Sequence, residues 1–144
     1  VALLTLSTPV KAYQILMFSV SWCKYCTAFH AEVTPTYKDS EYADELPLII
    51  INADDYPKYI PEWFANAYVK GDIKPIKGLP TFILWDEKRK VELDRLVGYF
   101  GKLWFYQKIE YKMYDLLNTD LHKPKRILKH IKWGIDEKNS YGRS

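Results

Sequence analysis

The sequence lacks long apolar runs, and none reaches the roughly 18 residues that a membrane-spanning helix requires. We therefore expect no helix that crosses a bilayer. Internal repeats and low-complexity segments are also missing, and 48% hydrophobic with 27% charged residues is typical of a folded globular chain. At about 150 residues per domain, the 144 residues predict one domain with a single core.

The chain also has little net charge, and +3 is too small to indicate a protein that binds nucleic acid. The positive excess lies in residues 120–144, where seven Lys and Arg side chains stand against three acidic ones. We therefore predict a domain over residues 13–118, followed by a basic C-terminal tail over residues 119–144. Such a tail is either simply solvated or contacts an anionic partner or a lipid surface.

The first twelve residues contain no initiator Met and are mostly apolar. Val10 and Ala12 fit the small-x-small pattern that precedes a signal-peptide cleavage site. We interpret residues 1–12 as the remnant of a secretory signal, which would place the protein in the periplasm or another exported, oxidising compartment. The alternative is a short first strand, which is compatible with a cytoplasmic location.

Hydrophobic periodicity predicts an α/β chain with a mixed sheet. Pro35 is expected to kink or end the first helix. The connection between the last two strands is too short for a crossover helix, so these strands should form a hairpin. The predicted strands cover residues 14–20, 46–51, 81–85 and 91–97, the first two of them buried, and the helices cover 27–37, 61–71 and 101–117.

Cysteine is scarce: the chain has only Cys23 and Cys26, spaced Cys-x-x-Cys at a predicted strand-to-helix junction. Such a pair can be redox-active, can form half of a zinc site, or can have no function. A closed zinc site needs four ligands. His30 lies one helical turn after Cys26, but the other two histidines are in the tail, so we predict no metal site.

Redox chemistry suits this position for a physical reason. The first turn of a helix presents unpaired backbone N–H groups and the positive end of the helix dipole, which are expected to lower the pKa of a thiol there. Cys23 is therefore the predicted nucleophile. Cys26, about one turn further into the helix, is the predicted resolving thiol, which attacks a mixed disulfide from within.

A second motif, Gly78-Leu79-Pro80, precedes the predicted hairpin. Proline at the start of a central strand is disfavoured unless the bond is special, so we expect a cis peptide. Together with Trp22 before the Cys-x-x-Cys motif, this arrangement resembles the thioredoxin superfamily. The resemblance implies a thioredoxin fold, a central mixed sheet flanked by helices, in which the cis-Pro loop packs against the cysteines and pairs with substrate. We assign substrate contact to Trp22, Lys24, Tyr25 and Leu79, and a catalytic role to Cys23, Cys26 and Pro80.

Residues 23–37 resemble more narrowly the exported thioredoxins of bacterial sulfur-oxidation (Sox) gene clusters, as does Val97-Gly98-Tyr99. That resemblance implies a reductase for disulfides of exported proteins, which is itself reduced by an upstream thiol-disulfide reductant. It implies no cofactor beyond the redox-active Cys23–Cys26 pair. Two alternatives remain open: a disulfide oxidant or isomerase, and a redox-silent thioredoxin-fold binding module.

One departure from cytoplasmic thioredoxins concerns the proton acceptor. These proteins usually carry a buried Asp six residues before the nucleophile, where this chain has Met17 facing an apolar strand. We therefore name His30 and Glu32, acting through a water molecule, as a candidate proton relay. The alternatives are that His30 is a packed helix residue and that Glu32 is solvated.

Overall fold

The computed structural model describes residues 11–55 and 58–119. The interpretations of residues 1–12 and of the tail therefore lie largely outside the described residues. The described strands and helices follow the predicted order, with one additional short helix after the first. They are β1 (Tyr13–Ser19), α1 (Lys24–Glu32), α2 (Thr34–Tyr37), β2 (Leu48–Asn52), α3 (Glu62–Lys70), β3 (Thr81–Asp86), β4 (Val91–Val97) and α4 (Lys102–Thr119).

The four described strands form one mixed sheet in the order β2-β1-β3-β4. β1 and β2 are parallel, whereas β3 is antiparallel to both β1 and β4. The predicted hairpin of β3 and β4 is thus confirmed. Every residue of β3 is buried, which is typical of a central strand covered on both faces.

The prediction that the second strand is buried like the first is wrong. β2 lies at the edge of the described sheet and pairs only with β1, and Ile50 is 36% exposed. A short apolar run has the same sequence pattern at the edge of a sheet as in its middle. The strand also begins at Leu48 rather than residue 46, because Pro47 has no N–H for a ladder bond.

The helix boundaries follow proline and glycine. α1 ends at Glu32, and a separate short helix α2 carries Pro35 in its first turn, which confirms the predicted break. α3 is preceded by Pro61 as its N-cap and followed by Gly71, whose φ of +84° suits a residue without a side chain.

Two apolar clusters cover the faces of the sheet. On one face, Phe64 of α3 packs with strand residues such as Leu16 and Ile83. On the other face, the ring of Phe29 in α1 lies 4.8 Å from that of Phe82 and 4.9 Å from that of Phe105, measured between centroids. These clusters hold α1 and α3 on opposite faces of the sheet.

The chain divides into two units, residues 1–105 and 106–144. The first contains the sheet, the helices α1 to α3 and the beginning of α4. The second, in its described part, is the remainder of α4, where Ile109 and Met113 are buried. No helix within residues 11–55 and 58–119 is apolar over a length sufficient to cross a membrane.

Candidate active site

The two cysteines form a disulfide at the N-terminus of α1. Their Cα atoms lie 5.2 Å apart. Cys23 is the N-cap residue, with an extended backbone (φ −86°, ψ 110°), and Cys26 lies within the first turn. The strand-to-helix junction predicted from the sequence therefore carries the motif.

The sulfur of Cys23 takes the place that a polar capping side chain usually fills. The backbone N–H of Cys26 donates a hydrogen bond to Cys23 Sγ at 3.1 Å. An N–H at this position, together with the positive end of the helix dipole, stabilises a negative charge on Sγ once the disulfide is reduced. Cys23 is 6% exposed and Cys26 is 0% exposed, so an incoming sulfur atom meets Cys23 first.

The residues around Cys23 present a largely apolar, partly cationic surface. Trp22 is 77% exposed, which is unusual for an indole that could pack in the core. The ammonium group of Lys24 lies 4.9 Å from the centre of the Tyr25 ring, within cation–π range. All three side chains are accessible beside the disulfide, as substrate-contact residues must be.

Asp54 is a site residue that the sequence interpretation missed. Its Oδ1 accepts a hydrogen bond from the backbone N–H of Ser21 at 2.5 Å, which ties the loop after β2 to the segment before Cys23. This backbone hydrogen bond lowers the pKa of Asp54 below its ordinary value. The polar turn after β2 was a usable signal, because the carboxyl ends of parallel neighbours lie at the same edge of a sheet.

The bond between Leu79 and Pro80 is cis, as predicted. Two hydrogen bonds hold this loop against the hairpin. The carbonyl of Pro80 accepts from the N–H of Gly98 at 2.8 Å, and the carbonyl of Gly78 accepts from Oγ1 of Thr81 at 2.7 Å. Pro80 itself is buried, whereas Leu79 is partly exposed.

A cavity of about 750 Å³ brings the two motifs together, because Trp22 and Leu79 both line it. Its other walls come from β1, from α3 and from the segment that leads to Pro80. The sequence interpretation missed most of these lining residues because apolar side chains of this kind are indistinguishable from core residues. They include Phe18, Ile60, Phe64, Tyr68, Val69 and Ile76.

The two candidate proton-relay residues have hydrogen-bond partners of their own. The ring of His30 lies between two hydroxyl groups, with Nε2 3.0 Å from Oγ of Ser19 and Nδ1 3.1 Å from Oγ1 of Thr34. Glu32 accepts a hydrogen bond from the hydroxyl of Tyr99. These contacts explain why each side chain is held in place, and the relay itself stays a prediction.

Met17 is 0% exposed in the middle of β1. It is in register with Ile50 on β2 and with Phe82 on β3. The buried position that carries an acid in cytoplasmic thioredoxins is therefore apolar here, as expected from the sequence. Among residues 11–55 and 58–119, no group of three His, Cys, Asp or Glu side chains could hold a metal ion.

The chain is similar to one known protein family and to several solved structures. A family profile described as a thioredoxin-like domain matches residues 7–112. The periplasmic thioredoxin SoxS from Paracoccus pantotrophus, in its reduced form, is similar with a TM-score of 0.52 and 26% identity, covering 67% of this chain and 90% of that one. The thioredoxin Mala s 13 from Malassezia sympodialis is similar in fold, with a TM-score of 0.50, 17% identity, and 73% and 75% coverage. Among curated proteins no sequence match is found.

Proposed function

Because this chain belongs to the thioredoxin-like family and is a thiol–disulfide oxidoreductase, we propose that it reduces disulfides in exported proteins. Its α/β thioredoxin fold and its resemblance to the exported thioredoxins of sulfur-oxidation gene clusters are confirmed by the family match and by SoxS. The direction of electron flow, the substrates and the roles of individual residues are parts of the proposal.

One observation carries the mechanism: the N–H of Cys26 donates to Sγ of Cys23, which is the more exposed of the two cysteines. In the reduced protein the same N–H supports a thiolate on Cys23, which is the form that attacks disulfides. Cys26 has no exposed surface, so its role is confined to attack on a sulfur atom already bound to Cys23.

The reaction transfers two electrons in two steps. The thiolate of Cys23 attacks one sulfur of the partner disulfide, so that a mixed disulfide forms and the other partner sulfur leaves as a thiolate. The thiol of Cys26 then loses its proton and attacks Sγ of Cys23, which releases the second partner thiolate and forms the Cys23–Cys26 disulfide. An upstream thiol-disulfide reductant returns both cysteines to the reduced state, and no separate cofactor takes part.

We assign the substrate-contact surface to the residues around these two sulfurs. The backbone at Leu79, next to the cis bond to Pro80, pairs with an extended substrate segment, in the manner implied by the family resemblance. Trp22, Lys24 and Tyr25 contact the substrate on the other side of Cys23. This assignment is supported by the shared cavity of Trp22 and Leu79 and by the exposure of the aromatic side chains.

The thiol of Cys26 must lose a proton before it attacks, and the buried residue at position 17, Met17, cannot accept that proton. His30 and Glu32 act in the proposal through a water molecule that accepts this proton. The support is their position on α1, one and nearly two turns after Cys26. Their contacts with Ser19, Thr34 and Tyr99 would fix the two side chains in place.

The exported location rests on the similarity to a periplasmic thioredoxin and on the signal-like pattern of residues 1–12. In such a compartment, exposed cysteine pairs become oxidised to disulfides. These disulfides would be the substrates of this protein. The basic residues of the tail would contact an anionic partner or a lipid surface.

Two measurements test the proposal. The reduced protein should reduce the disulfides of insulin, and its own reduction potential should lie near that of reducing thioredoxins, about −270 mV. A potential near about −120 mV would indicate an oxidant instead. Failure to react with any disulfide, by a folded protein with both thiols reduced, would reject the oxidoreductase mechanism and favour a binding module.

A further inference from the structure

Glu92 and Arg95 on β4 form an ion pair that a regular strand could not build. Side chains three residues apart on a strand point to opposite faces. Here Leu84 pairs with Asp94 while Trp85 pairs with Glu92, so Leu93 is an extra residue in the ladder. This β-bulge brings Glu92 and Arg95 to the same face of the sheet, the face that α3 covers.

The pair binds the segment between α3 and the cis-Pro loop through both partners. Arg95 donates from Nη1 to the carbonyl of Pro75 and from Nη2 to the carbonyl of Lys74, each at 2.9 Å. Glu92 Oε2 accepts from the N–H of Lys74 at 2.9 Å, and the N–H of Glu92 donates to the carbonyl of Asp72 at 3.1 Å. Four hydrogen bonds thus hold residues 72–75.

The carboxylate and the guanidinium are also bound tightly to each other. Nε of Arg95 lies 2.5 Å from Oε1 of Glu92, and Nη2 lies 2.7 Å from Oε2, a two-point contact that only a planar guanidinium makes. The Glu92 side chain is 2% exposed and that of Arg95 is 20% exposed. The hydrogen bonds with Glu92 raise the pKa of Arg95 above its ordinary value, so Arg95 remains a cation at any working pH.

The bound segment leads directly into one wall of the cavity beside the disulfide. Residues 74–77 have no helix or strand of their own, and Ile76 to Leu79 line the cavity. At the far end, the bonds of Gly78 and Pro80 fix the loop to the hairpin. The wall is therefore held at two ends, and the Glu92–Arg95 pair is the attachment on the side of α3.

We propose that the Glu92–Arg95 pair is a positioning clamp for protein substrates, holding residues 76–79 where an extended substrate segment can pair with them. The inference rests on the proposed function and extends it to two residues far from the cysteines in sequence. A protein disulfide needs the whole wall, whereas a small aromatic disulfide needs only access to Cys23. Loss of the clamp therefore weakens protein reduction selectively.

The test compares Arg95→Lys with Arg89→Lys in the full chain. Lysine keeps the charge but cannot contact Glu92 and two carbonyls at once. Arg89 is the matched control because it also forms an i,i+3 ion pair in the same hairpin, with Asp86, and lies outside the cavity. For Arg95→Lys we expect KM for insulin to rise about fivefold, with the rate on a small aromatic disulfide changed less than about twofold.

Hydrogen exchange supplies a readout that does not depend on activity. The N–H of Lys74, which donates to Glu92, and the N–H of Gly98, which donates to the carbonyl of Pro80, should exchange about tenfold faster in Arg95→Lys than in Arg89→Lys, while the amides of β1 remain unchanged. If wild-type protein reduces no disulfide, the proposed function fails, and faster exchange at Lys74 and Gly98 still supports the clamp. Equal exchange and equal KM in Arg95→Lys and Arg89→Lys would overturn the clamp. An equal loss of activity on insulin and on the small aromatic disulfide would overturn it too.

A second variant keeps the clamp testable if Arg95→Lys misfolds. If Arg95→Lys does not fold because Glu92 is left imperfectly paired, the double variant Glu92→Met with Arg95→Met removes both charges together. It should show the same selective rise in KM for insulin and the same faster exchange at the N–H of Gly98. A folded double variant with wild-type values for both would overturn the clamp.

Discussion

A Cβ atom on Gly78 would lie 2.6 Å from Cγ1 of Val97. The last residue of β4 thus lies against the loop that ends in the cis bond before Pro80, with no room for a side chain between them. The neighbouring Gly98 donates its N–H to the carbonyl of Pro80 at 2.8 Å. The strand end and the loop are therefore in direct contact, with a backbone hydrogen bond between them.

Gly78→Ala should destabilise the protein by about 1 to 3 kcal/mol, because Val97 is β-branched and cannot easily turn its methyl group away. Thermal unfolding of the variant measures the loss. The double variant Gly78→Ala with Val97→Ala removes the contact and should recover most of the stability. If Gly78→Ala alone is as stable as wild type, the close contact does not determine the loop position.

The hydrogen bond from the Ser21 N–H to Asp54 should stabilise the folded protein to an extent that depends on pH. Its pKa is lowered by the bond from the Ser21 N–H, so its contribution to stability is present above the unfolded-state value of 3.8 and is lost as pH falls through the lower folded-state value. We expect wild type to unfold at a higher temperature than Asp54→Ala at neutral pH. Below pH 3.8 this difference should shrink toward zero.

The matched control for this prediction is Asp55→Ala, which removes an exposed carboxylate next in the chain. Its effect on the unfolding temperature should be smaller than that of Asp54→Ala at neutral pH. A difference between wild type and Asp54→Ala that stays constant from neutral pH to strongly acid pH would show that the carboxylate charge is irrelevant to the Ser21 contact.

The sequence predicts the position and backbone geometry of the two motifs better than it predicts their surroundings. The Cys-x-x-Cys motif at a strand-to-helix junction, the helix break at Pro35 and the cis bond before Pro80 each depend on a local rule, and the structure confirms all three. The prediction that β2 is buried depended on the pattern of one strand alone. It was wrong because burial is decided by how many neighbours a strand has.

The clamp is the clearest case of a feature that local patterns hide. Residues three apart on a strand are expected on opposite faces, so Glu92 and Arg95 gave no signal of pairing. Only the pairing of β4 with β3 reveals the extra residue at Leu93. The cavity was hidden for a related reason, since Phe18 and Phe64 have the sequence pattern of ordinary core residues.

Met17→Asp should speed release of the mixed disulfide at neutral pH, because a carboxylate at this position can accept the proton of Cys26. The cost in stability should be about 2 to 4 kcal/mol, since Met17 is fully buried between Ile50 and Phe82. Stopped-flow reduction of a protein disulfide measures the rate. Met17→Asn, which is polar but does not titrate, should be similarly destabilised and no faster than wild type.

The different roles of Cys23 and Cys26 are the central claim, and trapping of partners tests them most directly. Cys26→Ser keeps the nucleophile at the helix N-terminus but removes the thiol that releases the partner, so covalent adducts should accumulate. Cys23→Ser should form almost none, since Cys26 is fully buried. The measurement is the yield of mixed disulfides recovered from an extract of the native host under non-reducing conditions. The account predicts abundant adducts with Cys26→Ser alone, and equal yields from the two variants, or none from Cys26→Ser, would contradict it.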